Sequence, residues 1–233
     1  MFYRPSRFDT PYTEADAAAL ARDLGFGTLV SVFNGEICIS HLPLLVDLEG
    51  GRIAGIRGHM ARANPHVAAL MEAPETTVIF RGPDAYVSAQ WYTPENPAAP
   101  SWNYVVVHVS GKLRFMPEDA AVSRIVDELI IENESRLPNQ WDLSGYSPER
   151  RARLLPHIIA FEIPAERVEP KFKLNQHYAN ADKIGAAEGL KSVGTDKARQ
   201  IAGYMLGTLS DDVSGTGGLE RDLGISADKP VRR

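Results

Sequence analysis

The fold is decided by residues 81–112, RGPDAYVSAQWYTPENPAAPSWNYVVVHVSGK. Two strand-like runs rich in Trp and Tyr flank a Pro-rich segment, TPENPAAP, that cannot itself form regular structure. Tyr and Trp combine a large apolar body with a polar tip, so they commonly lie where one edge meets water or a ligand. From these residues alone, a ligand-binding wall and an aromatic corner of the core are equally good interpretations.

Turn signals on both sides of this stretch predict further antiparallel strands. Asn34-Gly35 joins two β-rich apolar runs, the strongest short signal for a hairpin. The sequence Gly82-Pro83-Asp84 predicts a turn, and IIAFEIP and RVEPKFKL predict two closing strands. Six or more short strands with few helices predict an α+β, mainly β chain: an antiparallel β-barrel with peripheral helices rather than a parallel sheet.

Helix signals are local and clear. Thr13 is predicted to cap a helix that runs to about Leu24, and Asn64 before Pro65 predicts a short helix over residues 65–72. Apolar spacing predicts a helix after residue 117 and two C-terminal helices at about 182–191 and 197–209. We therefore predict one domain over residues 1–209, including the C-terminal helices from about residue 178, and a disordered tail at 210–233.

Composition narrows the class of protein. Apolar residues make up 44% and charged residues 24%, as in an ordinary soluble globular protein. The single cysteine excludes an intrachain disulfide. No apolar run reaches membrane-spanning length and the N-terminus lacks an apolar leader, which predicts a cytoplasmic protein without a membrane partner. The net charge is −5, Lys and Arg are scattered, and no basic recognition element is visible. These features weigh against DNA binding without excluding it.

The sequence lacks the motifs of several kinds of site. None of the six histidines forms an HxxxH or HExxH pair, so no metal site is predicted. The chain also lacks GxSxG, GxGxxG and GxxxxGK[ST], which removes a nucleophile elbow, a Rossmann dinucleotide site and a P-loop. No catalytic residue is predicted.

Scattered polar residues at strand ends and helix starts remain. A phosphate needs several charge-assisted hydrogen bonds, and Arg62 beside the predicted helix N-terminus is the best local candidate to supply them. A solvated surface arginine is an equally good interpretation of Arg62. For His41 and His59, a hydrogen-bonded structural role is favoured.

Four collinear motifs resemble the PaiB family of FMN-binding negative transcriptional regulators: GHMARANPH (58–66), GPDAYVSAQWY (82–92), SWNYVVVHVSGKL (101–113) and KFKLNQ (171–176). The resemblance extends from the opening MFYRPSRF to about Leu209. It implies a split β-barrel of the kind shared with flavin reductases and pyridoxamine-phosphate oxidases. It also implies a homodimer with the flavin at the subunit interface.

The cofactor contacts implied by the resemblance are Ser40, His41, Leu42, His59, Arg62, Asn64, Trp102, Asn103, Lys173, Asn175 and Gln176. Trp102 and Asn103 are expected to face the ligand, whereas Tyr86 and residues 105–107 are expected in the core.

Two departures from the family pattern leave alternatives open. Ala89 stands where the family has proline, and KLNQH replaces KLSQN at residues 173–177. The second departure makes haem the alternative cofactor, with His177 as the iron ligand, as in related haem-degrading split-barrel proteins. The alternatives to an FMN-binding regulator are therefore a flavin- or haem-dependent oxidoreductase and a cofactor-free dimeric binding module.

Overall fold

The computed structural model describes residues 3–209, so the predicted tail at 210–233 lies outside the described residues. The strands are β1 (Phe26–Phe33), β2 (Glu36–Glu49), β3 (Arg52–Ala61), β4 (Glu75–Val87), β5 (Ser101–Lys112), β6 (Arg114–Met116), β7 (Ile158–Pro164) and β8 (Arg167–Lys173). The helices are α1 (Glu14–Leu24), α2 (Pro65–Glu72), α3 (Asp119–Glu134), α4 (Pro148–Leu154), α5 (Asn180–Val193) and α6 (Asp196–Leu206).

Local signals place several of these elements as predicted. The Thr13 hydroxyl accepts from the backbone N–H of Asp16, and the Asp16 carboxylate accepts from the backbone N–H of Thr13 at 2.7 Å, closing a capping box on α1. The strands form one sheet in the order β6-β7-β3-β2-β1-β4-β5-β8. β1 and β2 pair antiparallel around Asn34 and Gly35, whose φ angles of 51° and 81° suit a two-residue hairpin turn. The predicted hairpin is confirmed.

The turn predicted at residues 82–84 is wrong, because β4 runs through it without interruption. A Cβ on Gly82 would lie 3.1 Å from the carbonyl oxygen of Val105 and 3.2 Å from the Leu20 side chain. Gly82 therefore permits a close approach of two backbones inside the sheet instead of reversing the chain.

The described chain divides into two compact units. The first contains Tyr3, Tyr12–Pro83 and Tyr104–Phe172, and the second contains Arg4–Pro11, Asp84–Asn103 and the described residues from Lys173 onward. The extent of the domain over residues 1–209 stays a prediction.

The first unit packs apolar side chains on both faces of its strands. Leu44 and its neighbour Leu45 are both buried, and successive strand residues point to opposite faces. On the Leu45 face, α3 completes a cluster of buried side chains made of Leu45, Val122, Ile125, Leu129 and Ala160. Arg57 fixes α3 to the sheet, since its guanidinium pairs with Asp47 at 2.7 Å and also with Glu128 on α3.

The second unit is built on the helical pair α5 and α6. Trp91 packs on α5 at two glycines one turn apart. A Cβ on Gly189 would lie 2.2 Å from a Trp91 ring atom, and one on Gly185 would lie 2.4 Å from the Trp91 carbonyl oxygen. Only glycine at these two positions allows Trp91 to lie this close to α5.

Two buried charged groups complete the second unit. The Asp182 carboxylate accepts from the backbone N–H of Thr93 at 2.7 Å and from Nδ2 of Asn96 at 2.8 Å, which holds the Pro-rich segment to α5. The Lys183 ammonium, only 3% exposed, donates to the carbonyl oxygen of Thr208 at 2.8 Å. Burial lowers the pKa of Lys183.

Candidate functional site

The predicted cofactor contacts fall into two groups, one in each unit, and each group is described by itself. In the first unit, Ser40 and Asn64 belong to a buried polar network centred on His66. The His66 ring nitrogens lie 2.9 Å from the hydroxyls of Ser31 and Ser40. Nδ2 of Asn64 donates to Ser40 at 3.0 Å, and its Oδ1 accepts from the backbone N–H of His66 at 3.0 Å.

This network suits a neutral imidazole. Ser40 accepts from Asn64 and can donate its own O–H to Nδ1 of His66, which would leave Nε2–H to donate to Ser31. We infer that His66 is neutral. Burial, which disfavours the imidazolium, lowers the pKa of His66. The polar groups of Ser40 and Asn64 thus serve the hairpin and the start of α2.

Three other predicted contacts of the first unit lie outside this buried polar network: two are exposed and one is apolar. His41 is exposed and its Nδ1 lies 3.1 Å from the Thr28 hydroxyl, while Leu42 is buried. Arg62 is exposed and donates through Nε to the carbonyl oxygen of Pro156 at 3.1 Å. Within the described residues, its two Nη atoms have no protein partner. The two Nη atoms of Arg62 are therefore available to donate hydrogen bonds to an anion.

His59 carries a buried ring nitrogen that lacks a partner. It lies on β3 opposite Ala160 of β7, and no hydrogen bond reaches its Nδ1 from the described residues. Burial lowers the pKa of His59, so the ring is neutral at pH 7 and offers one donor and one acceptor. An unpaired buried polar atom costs roughly 1–3 kcal/mol, which a ligand that reached it would recover.

In the second unit, the aromatic stretch presents an exposed pair. Trp102 is 55% exposed and Tyr86 is 49% exposed, with ring centroids 6.1 Å apart in an edge arrangement. The prediction that Tyr86 belongs to the core is wrong, because β4 continues past Gly82 and turns this side chain outward. In the first unit, Val105 and Val107 are fully buried, as predicted, whereas Val106 between them is only half-buried.

Asn103 is the most unusual residue of the second group. It is fully buried, its Nδ2 donates only to the sulfur of Met205 at 3.2 Å, and its Oδ1 has no partner among the described residues. A thioether is a weak acceptor, so both ends of this amide are poorly satisfied. Asn103 is therefore a group that packing alone does not explain.

The predicted contacts at the end of β8 brace the chain locally. Lys173 Nζ donates to the Ser101 hydroxyl and to the carbonyl oxygen of Trp102, both at 2.6 Å. Asn175 adopts a left-handed φ of 56° and donates through Nδ2 to the hydroxyl of Tyr92 at 2.9 Å. Oε1 of Gln176 accepts from the backbone N–H of Leu174 at 2.8 Å. These side chains define a rigid turn.

His177 follows this turn and is exposed. Its ring lies 4.4 Å from that of Tyr178 and 6.4 Å from that of Phe8, measured between centroids.

Tyr92, which accepts the hydrogen bond from Asn175, keeps its phenol proton. Burial raises the pKa of the Tyr92 phenol to about 12, so the hydroxyl stays protonated at neutral pH.

The described residues hold neither a metal-binding cluster nor a membrane-spanning helix. Residues 3–209 contain no group of three or more His, Cys, Asp or Glu side chains placed to hold a metal ion. Among the helices described, none has the length and apolarity needed to cross a bilayer.

The buried histidines predict how stability depends on pH. Burial lowers the pKa of His59, His66 and His108 below the value of about 6.5 for an unfolded chain. The unfolded chain then takes up protons first, so the stability they support is complete above pH 6.5 and is lost as pH falls below it. We expect the urea midpoint to fall between pH 7 and about pH 5.

Carboxylates affect stability over a lower pH range than the histidines, so the two contributions can be distinguished. The guanidinium groups of Arg22 and Arg136 lower the pKa of Glu132, so that its contribution disappears only below about pH 4.5. Replacing His66 with Gln should flatten the pH 7 to pH 5 slope. An unchanged slope in that variant would show that His66 does not titrate as inferred.

Comparison with known proteins identifies the family. Residues 2–167 match the family described as "Putative FMN-binding domain", which is most of the chain. The chain therefore belongs to this FMN-binding family, which confirms the predicted family and FMN as its predicted cofactor. The matched region ends before Lys173, so the contacts predicted at residues 173–176 lie beyond it.

Sequence relatives support the same assignment. Protease synthase and sporulation protein PAI 2 of Bacillus subtilis is 32% identical over 185 residues, covering 77% of this chain and 85% of the relative. An uncharacterized protein of Emericella nidulans is 29% identical, covering 78% of this chain and 88% of the relative. The first of these confirms the PaiB resemblance.

Solved structures confirm the predicted split-barrel fold. A conserved hypothetical protein of Mycobacterium tuberculosis matches with a TM-score of 0.54 at 13% identity, covering 76% of this chain and 95% of that one. An FAD and heme binding protein of Mycobacterium smegmatis matches with a TM-score of 0.52 at 14% identity, covering 69% and 71%. At these identities the likeness concerns the fold alone.

The residues present fit a flavin mononucleotide chemically. FMN combines an anionic phosphate with a flat ring system that carries hydrogen-bond donors and acceptors. In the first unit, Arg62 offers a cationic fork and His59 an unpaired ring nitrogen. In the second, Trp102 offers an exposed ring and Asn103 an unpaired amide oxygen. Each unit thus supplies groups that could contact such a ligand.

Proposed function

We propose that this protein binds FMN and acts as a negative regulator of gene expression. The observation that carries the proposal is the unpartnered Nη pair of Arg62, next to the N-terminus of α2 in a chain of an FMN-binding family. When bound, FMN would supply redox chemistry, and the protein would supply its binding and orientation. Arg62 would hold the phosphate.

A comparison of two ligands tests the role of Arg62. Replacing Arg62 with Ala should weaken FMN binding by roughly tenfold or more, since charge-assisted hydrogen bonds contribute about 1.5–3 kcal/mol. Riboflavin lacks the phosphate, so its affinity should not change. Flavin fluorescence quenching measures both affinities, and Arg124→Ala, an exposed arginine on α3, serves as the matched control. Equal losses for both ligands would refute a phosphate contact.

We also propose a homodimer formed through an apolar strip on the β1–β2 hairpin. Val32 lies opposite Ile37, and Val30 opposite Ile39. The side chains of Val32, Ile37 and Ile39 are 58%, 69% and 57% exposed, an arrangement that is unfavourable in water. A second copy of the chain would bury this strip.

Sedimentation velocity tests the dimer. Replacing Ile37 and Ile39 together with Glu should convert a dimer into a monomer, because burying two unpaired carboxylates is strongly unfavourable. Exposed Ile184 on α5, replaced with Glu, is the control and should leave the sedimentation coefficient unchanged. A wild-type monomer at micromolar concentration would contradict the proposal.

Haem is the second candidate ligand, and the exposed imidazole of His177 is the observation that favours it. An FAD and heme binding protein shares the fold, which makes both ligands worth testing. A Soret band on haem addition that is lost in His177→Ala, together with no response to FMN, would favour the haem-dependent oxidoreductase. If the protein binds neither FMN nor haem, the result would favour the cofactor-free dimeric binding module.

A further inference from the structure

Two exposed arginines on α4 differ from most other arginines of the chain. Arg22, Arg57, Arg136 and Arg151 each pair with a carboxylate. Arg150 and Arg153 are exposed, and their guanidinium groups form no hydrogen bond or ion pair with the described residues. Glu149, one turn before Arg153, does not pair with it either. Unpaired arginines are available to a partner that carries carboxylates.

Helical geometry places these arginines on one side of α4. Arg151 faces α3, because it donates to the Asp127 carboxylate at 2.6 Å. At 100° per residue, Arg153 and Arg150 lie about 60° apart around the helix, and Leu154 lies about 40° beyond Arg150 on the side toward Arg151. Leu154 is 42% exposed, so an apolar side chain lies beside the two cationic ones.

An exposed tryptophan adjoins this helix. The guanidinium of Arg151 lies 4.9 Å from the ring centre of Tyr146, and the ring of Trp141 lies 6.3 Å from that of Tyr146. Trp141 is 46% exposed. Trp and Arg are the residues most enriched among those that dominate binding at protein interfaces. Arg150, Arg153, Leu154 and Trp141 are called the α4 surface below.

We propose that the α4 surface binds an acidic segment of a partner protein that also carries an apolar side chain. The arginines would pair with carboxylates, while Trp141 and Leu154 would contact the apolar side chain. A nucleic acid is a poorer match, since two free arginines beside Glu149 on a seven-residue helix make a short basic track in a chain of net charge −5. The proposal does not depend on FMN binding.

The test uses a fluorescent peptide of repeated Asp-Glu-Leu units and the same peptide with Asn and Gln in place of its acids. Fluorescence anisotropy with the full chain should detect binding of the acidic peptide but not of the Asn/Gln peptide. The affinity for the acidic peptide should fall as the salt concentration is raised. In the Arg150→Glu/Arg153→Glu variant we expect the affinity to fall by about tenfold or more. Trp141→Ala should lower it as well.

Arg124→Glu/Lys191→Glu changes the net charge equally elsewhere and should bind the peptide within about twofold of the wild type. Circular dichroism checks that all variants fold. An equal loss in this control, or no binding of the acidic peptide, would overturn the proposal. So would a single-stranded oligonucleotide that binds more tightly than the peptide and is released by Arg150→Glu/Arg153→Glu.

Discussion

Replacing Gly111 with Ala should lower the free energy of unfolding by about 3 kcal/mol, at the upper end for overpacking in a protein interior. A Cβ at this position would lie 2.1 Å from the carbonyl oxygen of Pro164 and 3.1 Å from the Ile163 side chain. The first of these atoms belongs to the backbone, so it cannot turn away as a flexible side chain could. β5 and β7 are not neighbours in the sheet, yet their backbones approach closely at Gly111.

Urea unfolding followed by circular dichroism measures this loss. Lys112→Ala, the next position along β5, is the matched control. It removes an exposed ion pair with Glu75 and should leave the urea midpoint almost unchanged. Equal urea midpoints for Gly111→Ala and the wild type would show that the two strands separate easily.

Replacing Gly189 with Ala should destabilise the second unit even though alanine is the better helix former. The new methyl group would overlap the Trp91 ring, whose nearest atom would lie 2.2 Å away. Overpacking of this kind costs about 1–3 kcal/mol, whereas the gain in helix propensity is about 1 kcal/mol. We expect a net loss, accompanied by a change in Trp fluorescence because Trp91 must move.

Gly203 on α6 provides the opposite case. A Cβ there would meet nothing within 4 Å, so Gly203→Ala should raise stability by up to about 1 kcal/mol. The two variants make the same chemical change in adjacent helices and are expected to have opposite signs. If both stabilise the protein, the contact between Trp91 and α5 is looser than the structure indicates.

Much of the fold follows from signals that lie within a few residues of each other. Asn34-Gly35, the Thr13 cap and Asn64-Pro65 each act on their own backbone, so they predict the same elements in any surroundings. Gly82 behaves differently because its role depends on Val105, which is distant in sequence. A local pattern cannot tell a glycine that turns the chain from one that admits a neighbouring backbone.

The candidate site was less predictable for the same reason. Motif positions led to Ser40 and Asn64, but His66, which engages both, is tied to partners 26 and 35 residues away. The unpaired atoms of His59 and Asn103 become visible only once the surroundings of each side chain are known. A sequence can show which residues are polar, but not which of them are left without a hydrogen bond.

The buried amine of Lys183 sets a limit on how far the chain can be shortened. Its acceptor, the carbonyl oxygen of Thr208, comes after the last residue of α6. A protein ending at Leu206 would keep every residue of the helix and yet leave an ammonium group enclosed with no acceptor. The functional end of the second unit is therefore set by this one bond, and an expression boundary chosen by helix limits alone would fall too early.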